Sequence, residues 1–148
     1  MTTPKYLIAI DLQASKLAAA TKYGATHTID ASKEDVEARV KESEPFRYRY
    51  RDNAHASSVT EGRGVNYALD AVGSAAILAT GHKLLATRGT LVTIGGTGPN
   101  VGPTLPVTSH LQKGLTYRGT HQGDAAPRVY LPKVIDLWQR GRFQECET

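Results

Sequence analysis

The sequence predicts an α/β fold with a doubly wound, mainly parallel sheet. Three observations lead there. Strand-like and helix-like stretches alternate along the chain, no internal repeat interrupts them, and the 148 residues, 40% hydrophobic and 22% charged, suit one globular domain. Helices placed between successive strands act as crossovers, which pack over a parallel sheet.

The elements follow in order. Residues 6–10 form a short apolar run closed by Asp11, the pattern of a buried strand. Residues 14–23 are rich in alanine, with Leu17, Ala20 and Thr21 at helical spacing, and Gly24 stands where a helix C-cap belongs. Residues 27–30 make a brief second strand. Ser32 is expected to cap the next helix, with Asp35 as its capping-box partner and Val36 and Val40 on one face. A third strand is expected over 65–71, a helix over 74–87, a fourth strand over 90–94 and a glycine- and proline-rich loop over 95–106. A fifth strand over 115–119 and a helix over 128–140 complete the pattern, the helix carrying a buried stripe of Leu131, Val134, Ile135 and Trp138.

Segment 44–58 breaks this rhythm and reads as an atypical surface insertion within a single domain over 1–148. Arg47, Arg49 and Arg51 alternate there with Phe46, Tyr48 and Tyr50. An extended chain would set the cations on one face and the rings on the other. That pattern could also grip a nucleic-acid strand, although a solvated insertion is the plainer reading.

Bulk properties narrow the classes of function. The net charge is only +4 and is spread along the chain, which suits a phosphate-bearing ligand but does not indicate nucleic acid. Cys146 is the only cysteine, so neither an internal disulfide nor a thiolate metal cluster is expected. No apolar run approaches the roughly twenty residues needed to cross a membrane. The first residues lack the layout of a signal peptide. A soluble, cytoplasmic protein is expected.

Chemistry concentrates at Asp11, which closes the first strand, and Lys16 on the following helix. A carboxylate at that place can accept hydrogen bonds from the hydroxyls of an adenosine ribose and would repel a 2′-phosphate. It can equally serve to start the helix. Spacing alone leaves both roles open.

Four stretches together carry a resemblance: IAIDLQASKLAAATKYGATHTIDAS, TEGRGVNYALDAVGS, GTLVTIGG and LTYRGTHQGD. Their content and order resemble the cofactor half of zinc-dependent medium-chain alcohol dehydrogenases, which transfer hydride between an alcohol or aldehyde and NAD. The resemblance implies a Rossmann-type sheet and a set of cofactor-binding residues. Asp11 and Lys16 match the ribose-binding pair, and Val72 an apolar position on the adenine side. Ile94 and Gly96 match the turn that meets the nicotinamide ribose and carboxamide. Thr120 and Gln122 match the turn that holds the carboxamide. Segment 105–107 (Leu105, Pro106, Val107) matches an edge through which cofactor domains pair into dimers, where Pro106 would limit a continuous ladder.

Two departures from the family pattern are as informative. The Gly-rich first strand–helix unit should precede Tyr6, and nothing there fits it. In a 3-2-1-4-5-6 order the sheet would then lack its first, central strand, and with it the helix N-terminus that binds the pyrophosphate. The family's catalytic zinc ligands belong to a preceding domain. Here His27, His55, His82, His110 and His121 are scattered without metal-like spacing. No catalytic or metal residue is therefore assigned, and the isolated chain is expected to be inactive as a dehydrogenase. A shortened protein and an incomplete gene product would each explain the departures. Rival readings are a non-catalytic nucleotide-binding or dimerisation remnant, and a methyltransferase, which also places an acid at the end of its second strand.

Overall fold

The computed structural model describes residues 4–41, 59–60, 62–96, 98–99 and 102–142; the expected insertion at 44–58, His55 and Cys146 fall outside them. The chain opens with strand β1 (Ile8–Asp11), helix α1 (Ala14–Lys22) and strand β2 (His27–Asp30). β1 and β2 pair in parallel, with Ile8 opposite His27 and Asp11 opposite Asp30. Between them Gly24 takes a φ of 100°. The amides of Gly24 and Ala25 donate to the carbonyls of Thr21 and Ala20. This closes α1 as expected, with a left-handed glycine satisfying the last free carbonyls.

Helix α2 (Val36–Val40) is capped by Asp35, whose Oδ1 accepts from the Ala38 amide at 3.0 Å. The expected cap, Ser32, does not reach it. Its amide and hydroxyl donate to Asp30 in the turn after β2 instead. Asp35 immediately precedes the first helical residue, where a side-chain oxygen meets the free amides of the first turn.

Strand β3 (Val65–Asp70), helix α3 (Ala75–Leu84), strand β4 (Leu85–Thr93), helix α4 (Val107–Lys113), strand β5 (Thr116–Gly119), a 3₁₀ turn (Gln122–Asp124) and helix α5 (Pro127–Gln139) complete the order. β4 lies between β3 and β5 and runs parallel to both. The helix expected over 74–87 stops at Leu84, because Leu84 and Leu85 enter two different apolar clusters. Sending consecutive side chains to opposite sides is what a strand does. Leu85 pairs with Val65, and the ladder resumes with Thr90 opposite Tyr67. Residues 86–89 are thus extruded, with Arg88 at a φ of 61°. The strand expected from residue 90 is the continuous part of the ladder. The sequence pattern did not reveal α4, whose Val107, Thr108 and Ser109 are weak helix formers.

One cluster joins Leu78, Leu85, Leu91 and Leu115; the other joins Ile29, Val40 and Leu84. Each buried aliphatic side chain contributes roughly 2 kcal/mol. Val65 packs against both clusters, so the two sheets rest on a connected apolar layer. The sheets themselves are separate, one of β1 and β2 and one of β3, β4 and β5. Ile10 on β1 and Tyr67 and Leu69 on β3 are exposed, the last two at 77% and 67%. That is the appearance of a doubly wound sheet whose central strand is missing between its second and fourth.

The stripe expected on the last helix is not buried: Leu131, Ile135 and Trp138 are all more than half exposed, and no residue of α5 is buried. No described element packs closely across it. Among the described residues, no helix is long and apolar enough to cross a membrane.

Candidate functional site

Each site residue expected from the sequence lies at or just past the carboxyl end of a parallel strand, where α/β sheets bind ligands. Asp11 ends β1, and Lys16 lies in the first turn of α1. Val72 follows β3 by two residues, Ile94 and Gly96 follow β4, and Thr120 and Gln122 follow β5.

The residue that organises the three-stranded part is Asp70, which the sequence reading passed over. It closes β3 and is 2% exposed. Its Oδ1 accepts from the amides of Val72 at 3.0 Å and Gly73 at 3.1 Å. Its Oδ2 accepts from the Gly73 amide at 3.1 Å and the Thr93 hydroxyl at 3.2 Å. Its backbone carbonyl accepts from the amides of Ile94 and Gly95 at 2.9 and 3.2 Å. One residue thereby ties the turn after β3 to the turn after β4. A usable signal was present, since Asp three residues before Gly is a spacing that aspartate turns favour.

The two turns interlock through glycine. A Cβ on Gly95 would fall 2.2 Å from the Gly73 nitrogen, and a Cβ on Gly73 would fall 2.6 Å from the Gly96 carbonyl oxygen. Gly96 differs, for nothing lies within 4 Å of its Cβ position. Its backbone is open to a ligand and is flanked by the exposed apolar side chains of Val72 and Ile94.

The third turn joins this group through the Thr120 amide, which donates to the Thr93 carbonyl at 3.1 Å. Beyond it Gln122, Gly123 and Asp124 all have positive φ, at 52°, 68° and 53°. For the two non-glycine residues this costs about 1 kcal/mol or more each. The Arg118 guanidinium bonds Asp124 at 2.8 Å and holds its carboxyl below the usual range. Backbone strain of this kind concentrates where a site needs a particular shape.

Asp11 and Lys16 stand on the two-stranded sheet. Oδ1 of Asp11 accepts from the Gln13 amide at 2.9 Å, which turns the chain into α1, while Oδ2 lies 3.9 Å from Lys16 Nζ. One oxygen thus shapes the turn into the helix, and the other is left beside the lysine. Asp30, opposite Asp11 in the register, is lowered to about 2, chiefly by a hydrogen bond from Lys33 and next by one from Ser32. This rim therefore carries two carboxylates, each with its own lysine.

Among the described residues, no group of three or more His, Cys, Asp or Glu side chains is placed to hold a metal ion. A groove of about 290 Å³ is lined by Leu105, Val107, His110 and Tyr117. Leu105 and Pro106 precede α4 and Val107 begins it, so the expected pairing edge is not a strand.

Comparison with known proteins gives a consistent picture. Residues 6–140 match the family model described as zinc-binding dehydrogenase. A probable alcohol dehydrogenase from a Pseudomonas species is 30% identical over 126 residues, which is 84% of this chain and 34% of that protein. The structure of an alcohol dehydrogenase zinc-binding domain protein from Burkholderia ambifaria superposes with a TM-score of 0.76 at 33% identity, covering 94% of this chain and 33% of the other. Benzyl alcohol dehydrogenase from Acinetobacter calcoaceticus gives a TM-score of 0.77 at 29% identity, covering 94% and 34%. The chain thus spans about one third of the length of the proteins it matches.

Proposed function

Because the chain belongs to the zinc-binding dehydrogenase family, we propose that it forms part of the nicotinamide-nucleotide-binding half of an alcohol dehydrogenase-like oxidoreductase, with NAD(H) as its cofactor. The observation that carries this reading is the set of turns tied together by Asp70 and Thr93. They leave the Gly96 backbone open between two exposed apolar side chains. A planar ring with a carboxamide suits such a surface, with apolar contact on its faces and backbone groups for its amide.

In this reading Ile94, Gly96, Thr120 and Gln122 receive the nicotinamide side and Val72 packs toward the adenine side. Asp11 accepts from the ribose hydroxyls. Its charge disfavours a 2′-phosphate, which supports NAD over NADP. Lys16 steadies that carboxylate and reaches toward the same ribose. NAD when bound supplies the hydride acceptor, and the chain's residues bind and orient it. The described residues do not offer a zinc site, so no step is assigned to that metal. In this reading the isolated chain does not turn over alcohols or aldehydes. Residues 1–148 constitute one partial domain in the cytoplasm. A second copy of the chain pairs through 105–107 and the groove beside it.

Calorimetric titration of the purified chain with NADH and NADPH, alongside Asp11→Ala, tests this. NADH is expected to bind in preference to NADPH, and Asp11→Ala to weaken NADH by about tenfold or more, as losing hydrogen bonds to a charged group does. Absence of NADH binding by a demonstrably folded chain would overturn the proposal. Equal binding by Asp11→Ala would overturn the role given to Asp11.

A further inference from the structure

Helix α4 is held to the body of the protein in an unusual way. None of its residues is buried, and Val107 and Leu111 are 80% and 78% exposed. Two titratable side chains tie it to the neighbouring elements. His110 stacks on His82 of α3, with ring centroids 5.6 Å apart and planes 7° from parallel. Lys113 Nζ donates to the Leu85 carbonyl on β4 at 3.4 Å.

The histidine pair sits where a charge is poorly tolerated. His82 is 3% exposed. Its Nε2 and the Nδ1 of His110 are buried without a hydrogen-bond partner among the described residues. Among the described residues, the charged groups near the pair come from three helices. α4 supplies Lys113, which is close to Lys41 at the end of α2. α3 supplies Lys83, paired with Glu37 of α2 at 3.8 Å. Among the described residues, Lys113 is the cation that faces His82, with Lys41 close behind it, and Glu37 is already paired with Lys83.

We propose that the His82–His110 stack is an acid-sensitive latch, which docks α4 on α3 while the buried His82 ring is neutral and releases α4 when that ring gains a proton. A new cation on His82 would face Lys113 from a buried position, with no partner carboxylate among the described residues. Burial first, then His110 and Lys113, hold the His82 imidazole below its ordinary value. The undocked state therefore binds a proton more readily than the docked one. Docking is complete above about pH 6.5, the free imidazole value, and is lost as pH falls through the window beneath it. The consequence reaches the neighbouring groove, because His110 lines it with Leu105, Val107 and Tyr117. Acid would therefore remodel that apolar surface without unfolding the strands beneath.

Amide hydrogen-exchange protection measured on the full chain from pH 7.5 to 5 tests the latch. Protection across 107–113 should fall by up to roughly tenfold per pH unit inside the window, while β3 and the paired part of β4 stay protected. His110→Phe keeps an aromatic ring in the stack and removes the imidazole that faces His82; it should reduce the loss, and His82→Phe with His110→Phe should abolish it. A flat profile in the wild-type chain would overturn the proposal. So would an unchanged slope in His110→Phe, whose position beside the open groove makes it the safer variant for folding.

Discussion

At the end of β3, Asp70 is buried and commits both carboxylate oxygens to the protein's own amides and a hydroxyl. At the end of β1, Asp11 gives one oxygen to a local amide and leaves the other beside a lysine whose side chain is 61% exposed. The two aspartates end parallel strands in one family of fold, yet one is spent on the protein's own turns and the other keeps an oxygen for the ligand proposed above. The turns around Asp70 are defined by backbone and fail when their geometry is disturbed. The rim around Asp11 is defined by charge and should tolerate changes that leave the fold intact.

The sharpest way to break that contrast is at the interlocked glycines. Gly95→Ala would place a Cβ 2.2 Å from the Gly73 backbone nitrogen, where no flexible side chain can give way. A loss of about 3 kcal/mol is expected, toward the upper range for overpacking. Gly96→Ala, one residue on, enters open space and should stay within about 0.5 kcal/mol of wild type. Urea unfolding of the two variants measures both; equal effects would mean that the turns are not interlocked as described.

Next in size is the carboxylate itself. Asp70→Ala leaves the Val72 and Gly73 amides and the Thr93 hydroxyl without their acceptor, which should destabilise the chain by about 2 kcal/mol. Asp11→Ala removes only a half-exposed bond and a loose ion pair, so its effect on stability should stay under about 1 kcal/mol. If the two variants lost similar stability, the division between a building aspartate and a binding one would collapse.

The same contrast explains what the sequence disclosed. Strand–helix alternation, Gly24 as a helix stop and Asp11 at a strand end are local signals, and each reappears in the structure. The end of α3 was misjudged because Leu84 and Leu85 divide between two core clusters, a fact of packing and not of period. The stripe on α5 has real helical periodicity, but period cannot say whether anything covers it. Asp70 went unnoticed because its importance lies in Thr93, twenty-three residues away, and in carbonyl and amide groups that side-chain identity does not record. The His82–His110 stack likewise joins two helices that have a strand between them in the chain.

The smallest expected effect concerns the charged rim and sharpens the comparison by its sign. Asp30 bonds Lys33 at 2.8 Å and titrates at about 2, below its ordinary value of 3.8. A carboxylate lowered by folding contributes stability above its unfolded value, and that contribution disappears as pH falls through the folded one. The gap in melting temperature between wild type and Asp30→Asn should therefore be constant near pH 5 and close as pH drops from about 4 toward 2. The histidine latch works in the window beneath the free imidazole value and is present in both chains, so the gap between them isolates Asp30. A gap that persisted at pH 2 would show that Asp30 acts through the shape of its turn with Ser32, which would make this rim as backbone-defined as the turns around Asp70.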